Sequence, residues 1–121
     1  MSGKSGNKLE REWRGKICQQ MRECNAMVFA IVPSIYMEPG WPDVHVHHAY
    51  WRGWIEFKAR ETVITEKQRV IIRELNKRHP GSAFIARHSG SENVGYLMDE
   101  RNDKLGIFET GKELLKILAK L

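Results

Sequence analysis

Long apolar runs are missing from this 121-residue chain, and cysteine and proline are scarce. No window approaches the length needed to cross a bilayer, so we expect a protein without a membrane span. The two cysteines, Cys18 and Cys24, are six positions apart within a predicted helix. That spacing puts them on different sides of the helix and lacks the C-x-x-C pattern, which argues against a disulfide and against a cysteine-based zinc site.

The polar residues 1–8 lack the apolar core of a signal peptide, so we expect a flexible leader and a cytoplasmic protein. Residues 9–121 have the length of a single domain. Their content is ordinary for a globular protein, since the chain is 41% hydrophobic and 29% charged. The net charge of +5 fits either a basic solvated surface or a surface that binds a polyanion.

Hydrophobic spacing predicts a mixed α/β domain with helices on both sides of a small sheet. The apolar run 26–32 predicts a buried strand that Pro33 ends, and a loop with a turn follows over 34–41. Thr65 is typical of an N-cap, with Gln68 completing a capping box. The full set of predicted elements is a helix over 9–25, strands near 26–32, 43–48 and 53–59, a helix over 65–78, a strand over 82–87, a candidate short edge strand over 94–98, and a final helix after Thr110.

One acidic residue stands at the start of a predicted strand, and an acid–lysine pair stands within the strand that follows. Asp43 stands at the start of one strand, whereas Glu56 and Lys58 share one face of the next because strand side chains alternate. If the strands are neighbours, two carboxylates and an ammonium converge. Carboxylates hold hard divalent cations and an ammonium stabilises negative charge, which together suit metal-assisted phosphodiester cleavage. The alternative is that Asp43 only forms a turn after Pro42 and that Lys58 only neighbours Glu56 on a solvated face.

Two further polar residues are candidates for the same site. Glu10 projects close to the centre of the apolar stripe of the first helix, where it would help to hold a metal ion or orient its water. Alternatively, Glu10 is a helix-start acid favoured by the helix dipole. Gln68 either only closes the capping box or faces the cleft and orients water or a phosphate, and we favour the second interpretation.

Histidines and aromatic residues surround these candidates. His45 and His47 share a strand face and suggest zinc, but a third ligand at recognisable spacing is missing, so we favour groove lining for them and for His48. Four aromatic residues are candidates for stacking on unpaired bases: Trp41, Tyr50, Trp51 and Trp54. Tryptophans near a turn more often form core or dimer contacts, and we favour that interpretation for Trp54.

Five segments carry a resemblance to a known family, and they occur in the family's order. They are Glu10-x-x-Trp13, Gly40-Trp41-Pro42-Asp43, Glu56-Phe57-Lys58, Thr65-Glu66-Lys67-Gln68 and Ala83-Phe84-Ile85-Ala86-Arg87. Together they resemble the PD-(D/E)XK nuclease superfamily, and more narrowly the small stand-alone VRR-type nucleases of phage and bacterial genomes. The resemblance covers roughly residues 9–89. One departure is the segment 47–51, which is bulkier and more aromatic than a minimal hairpin and leaves the shape of the groove open.

The resemblance implies a restriction-endonuclease-like α-β-β-β-α-β core, here followed by a C-terminal helix. It implies a Mg²⁺ or Mn²⁺ ion held by Asp43, Glu56 and the backbone carbonyl of Phe57, with Glu10 as a candidate further ligand. Lys58 would position or activate the attacking water, and Glu10 and Gln68 would support it.

The expected function is that of an endonuclease hydrolysing DNA phosphodiester bonds, with branched, flap or junction DNA and single-stranded regions as candidate substrates. The resemblance also implies a homodimer in a bacterial cell or a phage-infected host. Basic residues in the range 60–78 and Arg87 are expected to hold the DNA backbone without reading sequence. Two alternatives stay open: a non-catalytic nucleic-acid-binding module of the same fold, and a structural protein whose acidic cluster is incidental.

Overall fold

The computed structural model describes residues 2–32, 34, 37 and 39–121. Over these residues the chain forms three helices and six strands. In chain order they are α1 (Ser2–Glu23), β1 (Met27–Ala30), β2 (Val44–His47), β3 (Arg52–Lys58), α2 (Glu66–Arg78), β4 (Ala83–His88), β5 (Gly95–Met98), β6 (Lys104–Phe108) and α3 (Gly111–Leu118). Helix α1 begins at Ser2, so residues 2–8, which the sequence assigns to a leader, lie within it.

All six strands form one mixed sheet whose spatial order follows the chain from β1 to β6. Neighbouring strands are antiparallel except β3 and β4, which are parallel. A parallel pair needs a crossover connection, and α2 supplies it. The predicted mixed α/β fold, with its order of helix, three strands, helix and strand and its C-terminal helix, is confirmed.

The sheet separates two apolar layers. The larger layer packs α1 and α3 on one face and includes Trp13, Ile17, Met21, Ile55, Phe57, Ala86, Leu97, Phe108, Leu114 and Leu118. The smaller layer packs α2 on the other face and includes Ile64, Ile72, Leu75, Ala83, Ile85 and Met98. Because strand side chains alternate, β3 turns Phe57 towards α1 and turns Glu56 and Lys58 towards the side of α2.

Local sequence signals explain the ends of the later helices. At the start of α2, the Thr65 side chain accepts a hydrogen bond from the backbone N–H of Gln68, and the Gln68 side chain accepts one from the backbone N–H of Thr65. The predicted capping box is therefore confirmed. Thr110 caps α3 in the same way by accepting from the backbone N–H of Glu113.

The prediction of a buried first strand is wrong. Strand β1 lies at the edge of the sheet, and of its four residues only Val28 is buried. Met27 is 60% exposed and Phe29 is 47% exposed, on the side away from α1. An apolar run alone does not distinguish a central strand from an edge strand with one covered face. Pro33 and part of the predicted loop over 34–41 lie outside the described residues.

The candidate strand at 94–98 is confirmed as β5, but β6 occupies the edge beyond it and was not predicted. Asp99 closes the turn between them by accepting hydrogen bonds from the backbone N–H groups of Arg101 and Asp103 at 2.8 and 3.0 Å. Within β6, a Cβ on Gly106 would lie 2.9 Å from the side chain of Ile117, so the glycine lets α3 approach closely. Lys104 and this glycine break the apolar alternation that would reveal a strand.

Both cysteines are free, with Cys18 buried and Cys24 half-buried, as the sequence predicts. Of the helices that the structure describes, none combines the length and the apolar character required to cross a lipid bilayer.

Candidate metal centre

Strands β2 and β3 bring Asp43 and Glu56 together. Val44 pairs with Ile55 in the antiparallel register, so Asp43, one residue earlier, lies opposite Glu56. The Asp43 carbonyl oxygen accepts a hydrogen bond from the backbone N–H of Ile31 at 2.8 Å. Its side-chain Oδ2 accepts one from the backbone N–H of Phe57, also at 2.8 Å. These two bonds fix the carboxylate beside the middle of the Glu56–Lys58 segment.

Glu56 has a buried carboxyl group whose two oxygens differ in their hydrogen bonding. The residue is 3% exposed. Oε2 accepts a hydrogen bond from Gln68 Nε2 at 3.1 Å and lies 3.5 Å from Nζ of Lys58, which is also buried. Oε1 is buried too, yet it makes no hydrogen bond with any residue that the structure describes. A buried polar atom without a partner is rare and costly, and Oε1 is the atom of this group that a metal ion could bind.

The pKa values report the crowding of acidic groups at this point. Burial, together with the Asp43 carboxylate and Glu10, raises the pKa of Glu56 to about 8 against the opposing effect of the Lys58 ammonium. Burial also raises the pKa of Asp43, against the Phe57 hydrogen bond and the charges of Arg14 and Lys58. Each carboxyl group thus holds its proton more tightly than in water, and a bound cation would reverse that preference.

Arg14 is a residue of the site that sequence reasoning missed. Its Nη1 lies 3.4 Å from Oδ1 of Asp43, and both side chains are partly exposed. Arg14 follows Glu10 by four positions, and residues four apart share a helix face. That spacing could have placed both side chains near the acidic pair from the sequence alone.

Glu10 reaches the sheet from α1. Its Oε2 accepts a hydrogen bond from the backbone N–H of Ala59 at 3.1 Å, directly after the last residue of β3. One oxygen of Glu10 therefore anchors the end of the strand. Its charge still reaches the buried pair, because it contributes to the raised pKa of Glu56.

Gln68 combines the two roles that the sequence presents as alternatives. Its Oε1 accepts from the backbone N–H of Thr65 to close the capping box, while its Nε2 donates to Glu56. The N-terminal turn of α2 is therefore bonded directly to the candidate ligand.

Arg87, expected to hold a DNA backbone, is engaged within the protein. Its Nη1 donates to the carbonyl oxygens of Ala59 at 3.0 Å and Thr62 at 2.6 Å. Burial lowers the pKa of this guanidinium group. Arg87 thus fixes the segment that follows Lys58, and the expectation that it binds phosphate finds no support in these bonds.

The histidines divide into two groups. The rings of His45 and His47 lie 4.5 Å apart, centroid to centroid, and burial lowers the pKa of His45. His48 is separate, with Nε2 3.1 Å from the carbonyl oxygen of Cys24. Trp51 is a core residue, since it is buried and its Nε1 donates to the carbonyl oxygen of Gly81 at 2.9 Å, whereas Tyr50 is 77% exposed on the turn.

The donor set suits a hard divalent cation. In the part of the chain that the structure describes, no three His, Cys, Asp or Glu side chains are grouped so as to hold a metal by themselves. The acidic site instead offers two carboxylates, Asp43 and Glu56, beside the backbone of Phe57, whose N–H donates to Asp43. Magnesium commonly binds through one or two carboxylates and completes its coordination with water and phosphate oxygens.

Among known proteins, no family model matches the sequence and no curated protein is significantly similar to it. The family resemblance therefore rests on the motifs themselves.

Proposed function

We propose that the protein is a metal-dependent endonuclease that hydrolyses DNA phosphodiester bonds. The observation that carries the proposal is the buried Oε1 of Glu56, which lies beside a second carboxylate and an ammonium and has no hydrogen-bond partner among the residues that the structure describes. A carboxyl group with a purely structural role is normally satisfied by hydrogen bonds. Two neighbouring carboxyl groups, one of them buried and incompletely hydrogen-bonded, are better explained as a cation site. The ammonium beside them is the group that stabilises negative charge.

Each residue has a specific role in this mechanism. Asp43, Glu56 and the carbonyl oxygen of Phe57 would hold Mg²⁺ or Mn²⁺, with Glu10 as a further ligand directly or through water. The ion would polarise the scissile phosphate and lower the pKa of the attacking water. Lys58 would stabilise the negative charge that develops on the phosphate, because its ammonium is held beside Glu56. Gln68 keeps Glu56 oriented through its hydrogen bond to Oε2.

A cleavage assay tests the proposal. Linear, nicked, flapped and four-way DNA are incubated with the protein in magnesium, manganese or a chelator. We expect metal-dependent cleavage of at least one substrate, and a loss of roughly 100-fold or more in Asp43→Asn and in Lys58→Met. The matched controls are Asp103→Asn and Lys112→Met, which remove an exposed carboxylate and an exposed ammonium elsewhere.

The outcomes separate three classes of protein. Cleavage that is undiminished in both site variants, or absent from every substrate with every metal, refutes the nuclease. DNA binding that weakens steeply with salt but survives chelation and Glu56→Gln, without cleavage, identifies the non-catalytic binding module. A melting temperature that manganese leaves unchanged identifies the acidic cluster as incidental, because a true site stabilises the folded state on binding.

A homodimer in the cytoplasm of a bacterial cell or phage-infected host completes the proposal. Strand β6 supports the dimer, since it is an edge strand on which Ile107 is 63% exposed. Unpaired edges invite pairing with another strand. Light scattering on the purified protein should give the mass of a dimer, and Ile107→Lys should give that of a monomer. A wild-type monomer at the concentration of the cleavage assay rejects the dimer.

A further inference from the structure

A row of aromatic rings crosses the sheet face beside the acidic site. We call it the aromatic strip, and it consists of Trp41, His45, His47, Trp54 and His79. His45 stacks on Trp54 with ring centroids 4.9 Å apart and planes inclined by 26°. His47 meets His45 edge-on at 4.5 Å, and Trp41 and His79 flank Trp54 at 6.5 and 6.4 Å. The rings are thus neighbours in stacked, tilted and edge-on orientations, and His45 covers one face of Trp54.

The aromatic strip leads directly to the candidate metal ligands. Trp54 and Glu56 are two residues apart on β3 and share a face. Two residues of strand span roughly 7 Å, and successive nucleotides of one strand in stacked DNA rise about 3.4 Å. A base lying on Trp54 would therefore be one or two nucleotides along the strand from a phosphate held at Glu56.

The strip remains accessible. On β2, Val44 and Val46 are buried towards α1, whereas His45 and His47, on the other face, are half-buried. Trp54 and Trp41 are also half-buried, and His79 is exposed. For comparison, Trp51 on the same hairpin is a core tryptophan, and its exposed fraction is only 8%. Trp41 and Trp54 also pack against the smaller apolar layer, so the strip lies at the border of the core with part of its rings open to solvent.

Its chemistry favours nucleobases over another protein chain. The partly exposed rings offer π contacts, and every base has a π face, so stacking tolerates any base sequence. Arg52, exposed on β3 two residues before Trp54, shares its face and supplies positive charge beside the rings. The whole chain carries a net charge of +5, which attracts phosphates. In an intact duplex the flat faces of the bases are covered by neighbouring bases. The rings can therefore stack only on unpaired bases.

We infer that the aromatic strip stacks unpaired nucleobases, so that the DNA substrate has a single-stranded segment running along β3 next to the cut. This inference rests on the proposed nuclease function and narrows its substrate to DNA with an unpaired arm. Arg52 holds phosphates of the unpaired arm, and the rings of Trp54 and Trp41 hold its bases.

Binding in a chelator tests the strip without requiring cleavage. Fluorescence anisotropy compares three labelled ligands of equal length at one salt concentration: oligo-dT, an abasic strand with the same phosphates, and a duplex. The variants are Trp54→Leu and Trp41→Leu, which keep an apolar side chain but remove the π face. The matched control is Tyr96→Leu, which removes a half-buried aromatic ring on β5, two strands away from β3.

We expect wild-type protein to bind oligo-dT on the order of ten-fold more tightly than the abasic strand, and more tightly than the duplex. Trp54→Leu should lose most of that advantage while keeping the same salt dependence, because its phosphate contacts are intact. Tyr96→Leu should bind like the wild type. Oligo-dT should also quench tryptophan emission more than the abasic strand does.

Equal affinity for the oligo-dT and abasic strands overturns the inference on wild-type protein alone, whether or not a variant folds. Tighter binding of duplex overturns it as well. If Trp54→Leu instead splits a dimer, as sedimentation would reveal, a second copy of the chain covers the strip. Base stacking without metal-dependent cleavage would support the inference that the strip binds unpaired bases and would reject only the proposed nuclease function.

Discussion

The buried Glu56 carboxyl group leads to a specific prediction for the pH dependence of stability in the absence of metal. Its pKa is about 8 in the folded protein against an ordinary value of 4.5, chiefly because of burial. Between these two values the folded state holds a proton that the unfolded state has lost. The contribution of Glu56 to the free energy of unfolding therefore falls as pH rises from about 4.5, and it is lowest above pH 8.

Replacing the group with glutamine removes this penalty while keeping its shape. In Glu56→Gln, the side-chain oxygen still accepts from Gln68, but there is no charge to desolvate. Because each pKa unit corresponds to about 1.4 kcal/mol, the shift corresponds to at most roughly 5 kcal/mol at high pH. We expect Glu56→Gln to be more stable than the wild type at pH 9 and nearly equal to it at pH 4.5. For a domain of this size the difference in melting temperature at pH 9 should be on the order of 10 °C.

Thermal unfolding in a chelator from pH 4.5 to 9 measures the effect, with Glu12→Gln as the control because Glu12 is an exposed carboxyl on α1. Adding manganese should then raise the melting temperature of the wild type at pH 8 and leave Glu56→Gln almost unchanged. Parallel melting curves for wild type and Glu56→Gln across the whole pH range would refute the reasoning, since they would mean that Glu56 ionises without cost.

Three further predictions follow from neighbouring contacts. Arg14→Gln should bind manganese several-fold more tightly in a calorimetric titration at pH 8, because the guanidinium 3.4 Å from Asp43 competes with the ion; weaker binding would mean that Arg14 supports the site. Gly53→Ala should lower the free energy of unfolding in urea by roughly 2–4 kcal/mol, because its Cβ would lie 2.0 Å from the carbonyl oxygen of Ser82. Gly15→Ala, where nothing lies within 4 Å of the added Cβ, should instead stabilise α1 by about 0.5–1 kcal/mol, and an equal loss in both variants would contradict the packing argument.

The sequence placed the acidic residues well because strand geometry has a short, rigid period. Alternation puts Glu56 and Lys58 on one face, and a short connection places Asp43 opposite them, so no long-range information is needed. The structure brings these residues together, and their roles in metal binding stay predictions. Arg14 was missed although its spacing from Glu10 was visible, because a charged residue on a helix is ordinarily solvated.

Tertiary context explains the errors. The exposure of Met27 and Phe29 depends on how far the layer of α2 extends over the sheet, and this is a property of the assembled fold rather than of the run 26–32. Strand β6 owes its place to pairing with β5 and to the approach of α3 over Gly106, neither of which leaves a periodic signal in five residues. The dual bonding of Gln68 was likewise not decidable, since its two functions require the same position.

That dual bonding sets a limit on engineering this protein for robustness. Glutamate is the other residue that completes a capping box, so Gln68→Glu is a substitution that a design based on helix stability would readily suggest. Here the new side chain would keep its bond to Thr65 but would lose the donor that faces Glu56, and would bring another negative charge to a point already crowded with carboxylates. A choice made to strengthen a helix end would thus be transmitted to the chemistry, and a library screened for heat resistance alone would not reveal the loss.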